Sequence, residues 1–162
     1  MTTPAETLLD CAIADPGAEL RRLASLGGTV RLQGVEALEP SVAVGLLDFF
    51  LRDQAAVPVE PFATVLEAML QKRETSLWDV SPGSREARDA YFIALPRDQP
   101  ECMSCGCFPL CQGFGAYAGG CLTCKAILTA LAAAARELTR LRAEFAPSSR
   151  PGSAHVQSSD GP

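Results

Sequence analysis

TVRLQGVEALEPSVAVGLLDFFLR, residues 29–52, sets the architecture of the N-terminal part of this 162-residue chain. Its first five residues, Thr29 to Gln33, alternate polar with apolar, the period of a half-buried strand. Gly34 is the one glycine in the turn that follows, a weak signal for any ligand. Pro40 then opens a helix running to about Arg52, with Val42, Leu46, Phe49 and Phe50 expected inward. A strand–turn–helix unit of this kind builds a small α/β sheet.

Working outward toward the N-terminus, Thr3-Pro4-Ala5-Glu6 reads as a helix start: threonine as cap, proline in the first turn, glutamate three residues after the cap. That helix would carry Leu8, Leu9, Ala12 and Ile13 on one face. Asp15-Pro16 interrupts it and caps a second helix through Leu26, lined by Leu20, Leu23 and Leu26 and ended by Gly27-Gly28. In the other direction, Pro61 opens a helix to about Arg73, with Phe62, Val65, Leu66 and Met69 at helical spacing. Leu77 to Val80 reads as a second short strand, and Ser81-Pro82 as the start of a helix to about Phe92. Residues 1–95 are thus expected to form a module that is mainly α, or α+β where the short strands pair.

Leu95-Pro96-Arg97-Asp98-Gln99-Pro100 reads as a proline-punctuated hinge into a second unit, residues 96–146, made of a cysteine-rich loop and a long amphipathic helix. Leu128, Leu131, Ala135, Leu138 and Leu141 recur at three- and four-residue steps along that helix. Two readings of this apolar face stand open: packing on the N-terminal helices, or pairing with a second copy as a homodimer. Arg136, Arg140, Arg142, Glu137 and Glu144 form its wet side. Residues 147–162 lack apolar residues at useful spacing and read as a disordered tail.

Composition narrows the function. Apolar residues make up 48% of the chain, enough for a core of one ordinary domain, or one domain with an appendage. The formal net charge is −5 and the sequence pI about 4.9, and Lys72 and Lys125 are the only lysines. A nucleic-acid partner is disfavoured, because phosphate neutralisation needs clustered cations. No run of 18 apolar residues predicts a membrane span. The first twenty residues carry early acids and no basic region, which argues against a secretory signal and for a cytoplasmic protein. In a reducing compartment, clustered cysteines are more often metal ligands than disulfides.

Six of the seven cysteines fall between residues 102 and 124. Cys102-x2-Cys105 and Cys121-x2-Cys124 are two CxxC pairs separated by fifteen residues, within the range of a four-cysteine zinc ribbon or knuckle. Cys107 and Cys111 lie between them. A closed zinc site needs four ligands, whereas six neighbouring thiols suit an iron–sulfur cluster at least as well. Gly106, Gly113, Gly115, Gly119 and Gly120 let the backbone curl round a compact inorganic body and turn amides toward sulfur. Phe108, Pro109, Leu110, Phe114 and Tyr117 are expected to shield it from water.

The run Cys102-x2-Cys105-x5-Cys111, with Pro109-x-Cys111-x-Gly113 and a later cysteine leading into a helix, resembles the core of the SPASM domain. That domain is the cysteine-rich extension of many radical S-adenosylmethionine enzymes that mature peptides. The resemblance covers about 25 residues. It implies that Cys102, Cys105, Cys111 and Cys121 or Cys124 ligate an auxiliary [4Fe–4S] cluster. Gly115 stands where the family has its fourth cysteine, and Cys107 is extra, a candidate substitute. The radical enzymes' own CxxxCxxC is absent: Cys107-x3-Cys111 begins it, but Phe114 takes the third place. With only some 95 residues ahead of the cluster, the resemblance implies a detached auxiliary domain without the catalytic barrel.

Other residues carry plainer expectations. Cys11 reads as a buried inert thiol. His155 reads as solvated in the tail, and without a second histidine a Ser-His-Asp or Cys-His nucleophile has no base. Trp78 reads as core or a hinge contact, and Lys125 as surface or an offset to thiolate charge. No catalytic residue, phosphate loop or dinucleotide fingerprint is identified. The metal candidates are Cys102, Cys105, Cys107, Cys111, Cys121 and Cys124. The leading expectation is a non-catalytic, SPASM-like accessory protein with a [4Fe–4S] cluster, a partner to a peptide-maturation enzyme or in a redox pathway. Two alternatives stand beside it: a structural zinc-ribbon interaction module holding Zn2+, and a thiol or Fe–S redox enzyme or electron carrier.

Overall fold

A computed structural model describes residues 5–52, 57–81 and 85–145. The protein is mainly α with a small parallel sheet. Three strands, β1 (Glu6–Asp10), β2 (Thr29–Gln33) and β3 (Val59–Glu60), lie in the order β1-β2-β3. Parallel neighbours need crossovers, supplied by α1 (Pro16–Ser25) between β1 and β2 and by α2 (Pro40–Arg52) between β2 and β3. The unit anticipated from residues 29–52 is present: β2 ends at Gln33, Gly34 turns with φ +76°, a short 3₁₀ turn spans Val35–Ala37, and α2 begins at Pro40.

The N-terminal helix expected from Thr3-Pro4 is instead strand β1, paired in parallel with β2 from Glu6 opposite Thr29 to Asp10 opposite Gln33. Thr3 and Pro4 themselves lie outside the described residues. The burial period decides the matter. Leu9 and Cys11 are buried while Leu8 and Asp10 are exposed, which is alternation, not a helical stripe. The backbone finds its partners across the sheet, and the Cys11 amide extends the ladder to the Gln33 carbonyl at 2.9 Å.

Helix α1 begins as its cap residues dictate. The Asp15 carboxylate accepts from the Ala18 amide at 2.8 Å, with Pro16 in the first turn. Leu20 and Leu23 are buried, whereas Leu26 is exposed beyond the last turn, not part of the expected stripe. In α2 the inward residues are Ala43, Leu46 and Leu47; Val42 is exposed, and Phe49 and Phe50 are half-buried. The stripe is rotated from expectation because the helix packs against both α1 and the last helix of the chain. Helix α3 (Phe62–Gln71) buries Phe62, Val65 and Leu66 as expected, with Met69 at the margin.

Leu77–Val80 is one helical turn, α4, and not a strand. A local cap explains it: the Asp79 carboxylate accepts from both the Ser76 amide, at 3.2 Å, and the Ser76 hydroxyl, at 2.8 Å. Helix α5 (Arg85–Asp98) carries Pro96 inside it and runs through most of the supposed hinge. Three single turns follow, α6 (Pro100–Met103), α7 (Phe108–Cys111) and α8 (Phe114–Tyr117). Helix α9 (Cys121–Phe145) then crosses back over the N-terminal elements.

The apolar face of α9 packs on α2 and α3. Ile127, Leu128, Leu131 and Ala135 are buried there, in one hydrophobic cluster with Leu46, Leu47, Phe62 and Trp78. Leu138 is exposed and Leu141 half-buried, so the contact ends before the last turns. Among the described residues, no helix is long and apolar enough to cross a membrane. His155 and the tail, 147–162, lie outside the described residues.

Candidate metal centre

All seven cysteines are free thiols, and the six clustered ones do not share one environment. Cys102 belongs to α6, Cys111 ends α7, and Cys121 opens α9, with Cys105 in the connection after α6. These four line one cavity of about 270 Å³, together with Glu101, Phe108, Gly113, Leu122 and Lys125. Its walls are largely apolar. Cys107 faces a neighbouring cavity with Lys125, Thr129 and Arg136, its Sγ 4.0 Å from the Thr129 hydroxyl. Cys124 is buried beneath the site, 3% exposed. Cys11, directly after β1 and remote in sequence from the other six, is buried, as its apolar neighbours suggest.

The second CxxC pair lies on a helix, not in a loop. Residues three apart on an α-helix point about 60° apart around its axis. Cys121 therefore meets the cavity while Cys124 turns into the core. Among the described residues, no three His, Cys, Asp or Glu side chains are grouped so as to hold a metal ion as they stand. The four thiols ring a space instead of converging on a point.

Backbone packing brings these turns together. A Cβ at Gly120 would stand 1.8 Å from the Glu36 carbonyl oxygen, so only glycine lets the start of α9 lie on the 3₁₀ turn after β2. The same junction is held by the Thr123 hydroxyl, which donates to the Leu38 carbonyl at 2.6 Å. Gly113, at φ +81°, would press a Cβ to within 2.8 Å of a Leu95 methyl. Gly115 packs on Cys121 and Cys124, and its amide donates to Cys111 Sγ at 3.3 Å. The expectation that glycine amides turn toward sulfur is met there.

Burial raises the thiol pKa values, because a thiolate loses hydration in apolar surroundings. It is the leading cause at Cys102, with the neighbouring sulfurs of Cys121 and Cys111 adding to it. At Cys111 burial is again first, opposed by the amides of Gly115 and Gly113. At Cys107 burial is opposed by the Thr129 hydroxyl. Cys124 is pushed up to about 12 by burial, then by the charge of Cys111 and Glu36. Grouped thiols of this kind favour the protonated form until a cation enters among them, the condition under which metal binding releases protons.

The expected shield is only partly where it was placed. Phe108 walls the thiol cavity and Leu110 lines the neighbouring one with Cys107, but Pro109 faces a separate groove with Arg73 and Arg88, and Phe114 and Tyr117 line a cavity at the ends of the strands. Leu122 and Glu101 complete the cavity and were not anticipated; their adjacency to Cys121 and Cys102 was the available signal. Lys125, anticipated as an offset to thiolate charge, does line the cavity. Behind it Trp78 is 1% exposed, its ring centroid 5.3 Å from Phe114, 4.8 Å from Tyr117 and 5.9 Å from Tyr91.

Compared with family models, curated proteins and solved structures, the chain matches none.

Proposed function

We propose that this protein is a non-catalytic accessory protein whose cysteine segment holds a [4Fe–4S] cluster. The ligands would be Cys102, Cys105, Cys111 and Cys121. One observation carries the reading: these four thiols border a single cavity of about 270 Å³. At about 30 Å³ for one water, that space is several times the size of one ion, so a body of several atoms suits it better than a lone Zn2+. The donor set is all thiol, as such clusters require, and the Gly115 amide already donates to one of the sulfurs. Bound there, the cluster would supply an electron-accepting or structural centre. The chain's part is to wall the site with Phe108 and to place Lys125 near the added negative charge.

The surroundings of the site support an accessory role. Among the described residues there is no histidine to serve a thiol nucleophile as base. The resemblance of residues 102–124 to the SPASM segment supports a partnership with a peptide-maturation enzyme or a redox protein, in the reducing cytoplasm.

Anaerobic purification with iron, sulfide and zinc determination tests the proposal. The expected result is a brown protein with about four irons per chain and a visible absorption bleached by dithionite. Cys102→Ser, Cys105→Ser, Cys111→Ser and Cys121→Ser should each lose most of the iron, while Cys107→Ser and Cys11→Ser keep it. Colourless protein with one zinc per chain would replace the reading with a structural zinc module. Stable protein with neither metal would end both.

A further inference from the structure

A second cavity opens where β2 and β3 end, and no cysteine lines it. Its volume, about 320 Å³, is at the small end of ligand sites. Open parallel sheets characteristically receive ligands outside the carboxyl ends of their strands. Here Gln33 ends β2 and Gly34 follows it, Pro61 follows β3, Glu36 comes from the 3₁₀ turn, and α8 contributes Phe114 and Tyr117.

The charge of this cavity is one-sided. Among the described residues that line it, Glu36 is the only carboxylate and none is a lysine or arginine. The ion pairs among the described residues leave Glu36 out. Two aromatic rings, Phe114 and Tyr117, line the same cavity, 6.5 Å apart between centroids and both braced on Trp78. A carboxylate that none of these ion pairs uses, sharing a cavity with prearranged aromatic rings, attracts a cation through Coulomb and cation–π terms. An anion would meet the carboxylate with nothing to offset it.

We propose that this cavity is a binding site for a small organic amine, with a primary ammonium at Glu36 and an apolar body of about ten non-hydrogen atoms against Phe114 and Tyr117. The site is independent of the metal proposal, since none of its lining residues is a cysteine. The two cavities meet along the chain at Gly113, which walls the thiol cavity and immediately precedes α8.

The test is a titration of the full-length ¹⁵N-labelled chain with phenethylamine, followed by amide shifts. Saturable shifts centred on Gly34, Val35 and Ala118 are expected, with weaker binding of the uncharged 2-phenylethanol and none of the anionic 3-phenylpropionate. Glu36→Gln should weaken phenethylamine about tenfold or more, the worth of a charged hydrogen bond. Tyr117→Leu, at a half-exposed position, provides a second variant should the first fail to fold, and should also weaken the amine. Absence of saturable shifts overturns the proposal. So does equal binding of 3-phenylpropionate, an unchanged affinity in a folded Glu36→Gln protein, or shifts confined to residues 102–111.

Discussion

The indole N–H of Trp78 donates to the carbonyl oxygen of Gln112 at 3.0 Å. This bond ties the buried centre of the N-terminal elements to the backbone between Cys111 and Gly113. Gln112 itself is held in the left-handed region, at φ +47°, a conformation that costs a non-glycine residue about 1 kcal/mol or more. The bond and the surrounding rings therefore hold a turn that would otherwise relax, and with it the direction of the Cys111 thiol.

Trp78→Phe removes that donor and leaves the Gln112 carbonyl without it. A loss of about 1–3 kcal/mol in unfolding free energy is expected, from the unmet acceptor and the smaller ring. Urea denaturation followed by circular dichroism checks it. A change below a few tenths of a kcal/mol would show that the turn holds itself.

Gly120 and Gly106 should answer differently to the same methyl. At Gly120 the new Cβ meets Glu36 backbone at 1.8 Å, whereas at Gly106 nothing lies within 4 Å. Gly120→Ala should cost about 3 kcal/mol or more, since backbone must move, and Gly106→Ala should stay within about 0.5 kcal/mol. Thermal melts of the two variants side by side decide it. Equal melting points would mean that α9 does not rest on the 3₁₀ turn as described.

Cys11 makes stability depend on alkaline pH. Burial, then the charges of Glu36 and Asp10, push its thiol from 9.0 to about 11. The folded state thus holds this proton more tightly than the unfolded chain does. The contribution is intact below about pH 9 and is lost as pH rises toward 11, at about 1.4 kcal/mol per pH unit. Cys11→Ala should show a shallower fall of the urea midpoint over that interval than the parent protein. Parallel curves would remove Cys11 from the account.

In metal-free, reduced, native protein, alkylation should sort the thiols by exposure. Cys121 is exposed, whereas Cys11 is 1% and Cys124 3% exposed. Iodoacetamide should label Cys121 at least roughly tenfold faster than Cys124, although both belong to one CxxC. Peptide mass spectrometry over a time course measures this. Comparable rates would place both thiols on the same surface, contrary to the rotation of α9 that separates them.

Much of this protein is readable from local signals. Asp15-Pro16 and Pro40 start helices where they stand in the chain, and alternation over residues 29–33 marks β2, because caps and burial period act within a turn or two. The glycine amides near Cys111 and the apolar seam of α9 were legible for the same reason. Residues 5–10 were not. Their apolar run fits a helix or a strand, and the choice lies with β2, some twenty residues away, which offers a row of backbone partners. The turn at Leu77–Val80 was likewise hidden, because the burial of Trp78 involves Gln112 and Phe114, distant in sequence.

The spacing of the cysteines made a shared centre plausible, and it established which thiols were near enough in sequence to take part. Their sorting came from elsewhere. Gly120 lying on Glu36, the helical phase of α9 and the bend at Gln112 put four sulfurs around one cavity, turn Cys124 inward and Cys107 aside. Sequence spacing limits how far apart two thiols are; it carries no information on which way they point once helices from both ends of the chain pack against each other.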